Sequence, residues 1–132
     1  NNAIEQAEIH LQNYVKLADE VPGGMRNAVW LDAAFFYAAA KEDIQTAELY
    51  WKKFAPSALI PKAMVMATEA ALFWLKNDTS SFEQKYDAAV RELPKMLDKG
   101  LSVALRDRLE ELRSRVPKSL LAHPAEPIGQ AV

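Results

Sequence analysis

The side chains in this sequence best suited to acid–base chemistry are paired carboxylates: Glu42 beside Asp43, and Glu110 beside Glu111. An enzyme builds a general acid and a general base from such residues, but neighbours along a helix or at its cap are usually solvated, and the capping or surface role is favoured. Asp32 and Glu69 differ because each interrupts a nearly all-apolar stretch. A carboxylate there is either paired inside, with Arg26 or Lys62 as partner, or marks where the helix meets water. Convergence of both on one closed cavity would favour a small-molecule enzyme, with Tyr37 and Thr68 as further polar groups. His10 and His123 lack a second ligand at metal spacing, and there is no cysteine to supply a thiolate or nucleophile. Serines do not sit in a G-x-S-x-G elbow, and Gly23-Gly24 lacks the phosphate-loop pattern and reads as a turn. The expectation is a chain with no catalytic residue, no cofactor and no metal site.

Helices must position these groups. Ile4, Ala7, Leu11, Tyr14, Ala18 and Val21 form one apolar stripe, with Glu5, Glu8, Gln12, Lys16 and Asp19 opposite, until Pro22-Gly23-Gly24 ends that helix. A second helix, about 25–41, is apolar on almost every side, as is a fourth, about 60–76; such helices are covered by neighbours. Between them a third helix, about 43–55, is capped by Asp43 and closed by Pro56, and Pro61 suits the first turn of the fourth. Ser80 and Glu83 have capping-box spacing for a fifth helix, which Pro94 kinks or ends and Gly100 follows as a stop. A sixth, about 101–116, shows Leu101, Leu105, Leu109, Leu112 and Val116 beneath a charged face, the pattern of a terminal cap helix.

At 132 residues, 50% hydrophobic and 26% charged, the chain is one domain's worth. We expect a single helical domain over 1–116 and an extended or disordered tail over 117–132, where Pro124 and Pro127 resist helix formation. The formal net charge of −2 gives no electrostatic footprint for a polyanion, so nucleic acid is not expected as a partner. The apolar stretches are too short and too interrupted by charge for direct membrane insertion. Asn1-Asn2 at the start, with no initiating methionine, leads us to expect a piece of a larger cytoplasmic or membrane-bound parent, this part of it being a soluble cytoplasmic domain.

The stretch Asp43-Ile-Gln-Thr-Ala47-Glu-Leu-Tyr-Trp51-Lys-Lys-Phe54 is echoed by Thr79-Ser-Ser-Phe82-Glu-Gln-Lys-Tyr86-Asp-Ala-Ala89 at an offset of 35 residues. Each copy follows an apolar helix and a polar break. In Ala47 and Trp51, in Tyr86, Ala89 and Pro94, and in Ala70 and Phe73, the chain resembles the tetratricopeptide repeat family over about residues 28–94. Phe54 and Phe82 replace small residues of that pattern. The resemblance implies an all-α fold of about six helices in antiparallel hairpins with a C-terminal cap helix, and a scaffold that binds other proteins. A fainter texture, Leu31-Asp32-Ala33-Ala34-Phe35-Phe36-Tyr37-Ala38 and Ala70-Ala71-Leu72 ahead of acidic breaks, resembles the soluble helical segment of site-2-protease-like (M50) metallopeptidase homologues. The H-E-x-x-H of that family is missing, so the resemblance implies an accessory domain and not the protease.

Core packing is the first role expected of Trp30, Phe35, Phe36, Tyr37, Trp51, Phe73 and Trp74. By the repeat alignment Phe36 and Trp74 face the concave side, and an apolar partner groove is expected along Asp32, Phe36, Ala40, Met64, Ala67, Ala71 and Trp74. The family's carboxylate clamp is not reproduced, since its positions hold Asp32, Phe36, Ala67 and Ala71. The expected function is a non-catalytic interaction or scaffold domain whose groove takes an apolar peptide or helix. The metallopeptidase accessory domain and the small-molecule helical enzyme are the alternatives, and self-association through the groove is a third possibility.

Overall fold

In the computed structural model, which describes residues 2–20, 23–117 and 120, every regular element is helical. The elements are α1 (Asn2–Leu17) with a 3-10 turn at Ala18–Glu20, α2 (Gly23–Ala39), α3 (Ile44–Lys53), α4 (Lys62–Leu75), α5 (Thr79–Glu92) with a 3-10 turn at Leu93–Lys95, and α6 (Lys99–Ser114). They group into two compact units, Asn1–Ile60 and Pro61–Val132. The chain is thus all-α, with α2–α3 and α4–α5 packed as hairpins and α1 and α6 added at the ends. The tail expected over 117–132 lies, apart from Pro117 and Leu120, outside the described residues.

In the first unit α2 closes on nearly all sides, as its composition requires: Val29, Trp30, Leu31, Ala33, Ala34, Phe35, Tyr37 and Ala38 are buried, and Asp32 is exposed. From α3, Ala47 and Tyr50 enter the same core, and Phe54 follows at the helix end. The loop beyond α3 is pinned back to α2, the Ala55 N–H donating to Asn27 Oδ1 at 3.1 Å. The small residues let the aromatic ones stack: Trp30 and Tyr50 lie 5.9 Å apart, and Tyr50 and Tyr37 5.8 Å, both pairs nearly parallel.

In the second unit a seam of Ala63, Ala67, Ala70 and Ala71 on α4 admits Phe82, Tyr86 and Ala89 of α5. Phe82 is fully buried, 5.7 Å from the Tyr86 ring. Thr68, buried with them, donates its hydroxyl to its own helix at Met64 O, 2.8 Å away. Leu105, Leu109 and Leu112 form the buried stripe of α6, which packs on α4, and Val116, just past the helix end, is buried with them; Leu101, expected in that stripe, is exposed. Ser102 Oγ and Lys99 Nζ donate to Leu93 O and Pro94 O, tying α6 to the 3-10 turn.

Both hairpins turn in the same way. A residue at positive φ, Glu42 (φ 53) or Asn77 (φ 61), is followed by an N-capping aspartate. Asp43 accepts from the Thr46 amide at 3.1 Å, and Asp78 from the Ser81 amide at 3.2 Å. All three residue pairs are 35 positions apart, so the repeat extends into the turn itself.

Four local expectations are corrected. Asp78 caps α5 in place of Ser80, because the chain leaves the left-handed Asn77 directly into capping geometry. Asp98 starts α6 at Lys99, its carboxylate accepting from the Leu101 amide at 3.0 Å, so Gly100 sits in the first turn instead of ending a segment. Gly23 and Gly24 likewise open α2. The fourth concerns α1, where Ala7 and Tyr14 are exposed while Glu8 and Gln12 face the hairpin: hydrogen bonds to buried tyrosines outweigh the apolar pattern.

Candidate functional site

The expected groove residues lie on two helices, one in each unit. On α2 and just beyond it, Asp32, Phe36 and Ala40 follow one another a helical turn apart; Asp32 is exposed, and Phe36 and Ala40 are half-buried. The Phe36 ring stands edge-on to Tyr37 at 5.3 Å. On α4, Met64, Ala67, Ala71 and Trp74 repeat at three and four residues, which places them along one face. Ala67 and Ala71 are buried, whereas Met64 and Trp74 are half-buried, with the Arg115 guanidinium over the Trp74 ring at 5.4 Å. Each helix therefore presents large apolar or aromatic atoms that its own unit covers only in part.

Three of the carboxylates singled out for chemistry are engaged elsewhere. Asp43 is the cap of α3 and also accepts from the Thr46 hydroxyl at 2.7 Å; these bonds hold its carboxyl below the usual range. Glu69 pairs with Lys85 across the second hairpin at 3.3 Å, not with Lys62, and Arg26 Nε donates to Ala18 O at 3.0 Å. Glu111 pairs with Arg115 one turn on. His10 is exposed, and His123 lies outside the described residues. Among the described residues no three His, Cys, Asp or Glu side chains are grouped to hold a metal ion.

A polar cluster that the periodicity does not announce joins α1 to the first hairpin. The Tyr37 hydroxyl donates to Glu8 Oε2 at 2.8 Å and accepts from Gln12 Nε2 at 2.6 Å, and Lys41 Nζ lies 3.1 Å from Glu8 Oε1. Gln12 also reaches the Tyr50 hydroxyl at 3.5 Å. The Tyr37 and Lys41 contacts hold the Glu8 carboxyl below its ordinary value. Burial, followed by the Glu8 carboxylate, pushes the Tyr37 phenol up to about 12, so it is a hydrogen-bond donor and not a base near neutrality. At the other end of the stack Lys53 Nζ sits 4.8 Å from the Trp30 ring centroid. The one signal in the sequence is the spacing of Glu8 and Gln12, one turn apart and flanked by Leu11 and Val15.

No family model matches the chain, and no solved structure matches it. Over 59 residues, 44% of this chain, it is 37% identical to a subunit of the nuclease SbcCD of Bacillus subtilis (strain 168). The chain spans about 5% of the length of that curated relative. No helix among the described residues is long and apolar enough to cross a membrane.

Proposed function

We propose that this chain is a non-catalytic interaction domain of a larger protein, built of tetratricopeptide-like hairpins and binding an apolar peptide or amphipathic helix. One observation carries the reading: Met64 and Trp74 on α4, and Phe36 on α2, stay half-buried on helices that bury Ala63, Ala67, Ala70 and Ala71, and Ala33, Ala34 and Ala38, respectively. Large apolar side chains left partly open on a rigid helix are what helix-in-groove recognition uses. The engagement of Asp43, Glu69 and Glu111 as caps and ion pairs is in keeping with it. So is the turn that recurs after 35 residues, since stacked hairpins commonly serve as binding scaffolds. That the curated relative is a nuclease subunit accords with a part played inside an assembly; nuclease activity is not proposed for this chain. A cytoplasmic setting is proposed with it.

Panning a helical peptide library on the immobilised full chain tests the proposal. The expected outcome is a family of amphipathic peptides with apolar residues at three-and-four spacing, released by Phe36→Asp or Trp74→Asp in chains that keep wild-type helicity. Enrichment of no peptide, or equal binding by both folded variants, would overturn it. Concentration-dependent light scattering abolished by the same substitutions would point to self-association instead.

A further inference from the structure

The first unit is held together unequally. From Ala3 to Leu17 no side chain of α1 is buried, and its apolar contribution comes from half-buried Ile4, Leu11 and Val15. The hairpin beneath is closed by Trp30, Leu31, Phe35, Tyr37 and Tyr50, all buried. What fixes the register of α1 is polar: Glu8 on Tyr37 and Lys41, Gln12 on Tyr37 and Tyr50. The Glu8 and Lys41 side chains are 30% and 32% exposed, so water competes for this ion pair directly. An element with few buried apolar contacts and water-accessible hydrogen bonds opens at lower free energy than the core it lies on.

From this contrast we infer that α1 is a detachable strap over a helix-docking seat formed by Tyr37, Tyr50 and Lys41, and that the seat takes an amphipathic helix carrying a carboxylate and a carboxamide one turn apart. The chain's own α1 is the occupant in this structure. The chemistry of the seat is selective: the Tyr37 hydroxyl needs one acceptor and one donor, which Glu8 and Gln12 supply together. Lys41 favours a carboxylate over a neutral acceptor. Beneath them the Trp30–Tyr50–Tyr37 stack, closed by Lys53, belongs wholly to α2 and α3 and stays in place when α1 lifts. A partner helix with the Glu8/Gln12 pattern competes with α1, which thereby sets the threshold for binding. The seat shares no residue with the Phe36, Met64 and Trp74 set, so the two readings stand or fall separately.

The test adds a fluorescent synthetic peptide of residues 1–20 to the full chain. The wild-type chain should bind it weakly, because α1 in cis has the higher effective concentration. Glu8→Gln in the chain should tighten binding of the wild-type peptide about tenfold by weakening the competitor. The same substitution in the peptide should weaken its binding to that chain about tenfold. No saturable binding to either chain, or a Glu8→Gln chain that binds no tighter than wild type, would overturn the inference. Amide exchange on the wild-type chain tests the strap without any variant: α1 should exchange on the order of 100-fold faster than buried α2, whereas α1 and α2 opening together would contradict it.

Discussion

Replacing Glu42 by glycine should stabilise the first unit, against the usual direction of a glycine substitution. Glu42 is exposed and sits at φ 53, a left-handed conformation in which a β-carbon crowds the backbone at a cost of roughly 1–2 kcal/mol. Glycine removes that cost but adds freedom to the unfolded chain, worth about 0.5–1 kcal/mol. The difference leaves a net gain of about 0.5–1 kcal/mol, or a rise of about 2–8 °C in Tm for a unit of this size. Asn77 provides the internal control: it holds the equivalent place at φ 61, but asparagine tolerates the left-handed region, so Asn77→Gly should change stability by no more than about 0.3 kcal/mol. The assay is urea denaturation followed by far-UV circular dichroism, with amide exchange in α2–α3 and α4–α5 locating each effect. A destabilised Glu42→Gly, or an equal gain from Asn77→Gly, would refute the reasoning from backbone strain.

Phe82→Ala should remove about 3–5 kcal/mol from the second unit, because the fully buried ring leaves a cavity against Tyr86 that the alanine seam of α4 cannot fill; equilibrium denaturation reads it. Asp78→Ala should cost about 1 kcal/mol, whereas Ser80→Ala should leave the melting temperature unchanged, since the α5 amide accepted by the cap turns to Asp78. Stability should also fall at high pH. Burial raises the Tyr37 and Tyr86 phenols to about 12 in the folded chain against an ordinary 10, so the unfolded chain loses its protons first. Their contribution is present below pH 10 and is lost as pH rises toward 12, by about 2–3 kcal/mol each. Spectroscopic titration at 295 nm checks this: two phenols should ionise late and together with loss of helicity, and early ionisation of both without unfolding would contradict it.

Much of the fold is written in the chain's composition and spacing. The near-continuous apolar runs of α2 and α4 leave almost no polar face to wet, and Asp43 announces the start of α3, so the hairpins follow from periodicity and capping chemistry. The rotation of α1 does not follow, because Glu8 and Gln12 turn inward for two tyrosine hydroxyls that lie 25 or more residues away in sequence. Periodicity weighs side chains by their cost in oil and is blind to such partners. Gly100 misleads for a related reason: glycine marks the end of a helix only when the backbone before it is already helical, and Asp98 starts one there instead. Leu101, by its spacing part of the α6 stripe, falls in the first turn beyond the capping residue and meets solvent. Of the candidate site, the half-open positions of Phe36, Met64 and Trp74 depend on what the rest of the chain covers, which a single sequence does not encode locally.

Recognition of an apolar helix is tested most directly by calorimetric titration of a panned peptide into the full chain at several temperatures. Burial of Phe36, or of Met64 and Trp74, against the peptide should give a negative heat-capacity change, and Phe36→Asp for a peptide on α2, or Trp74→Asp for one on α4, should abolish the heat while leaving the chain folded. Binding with no heat-capacity change, or undiminished by either substitution, would contradict the account.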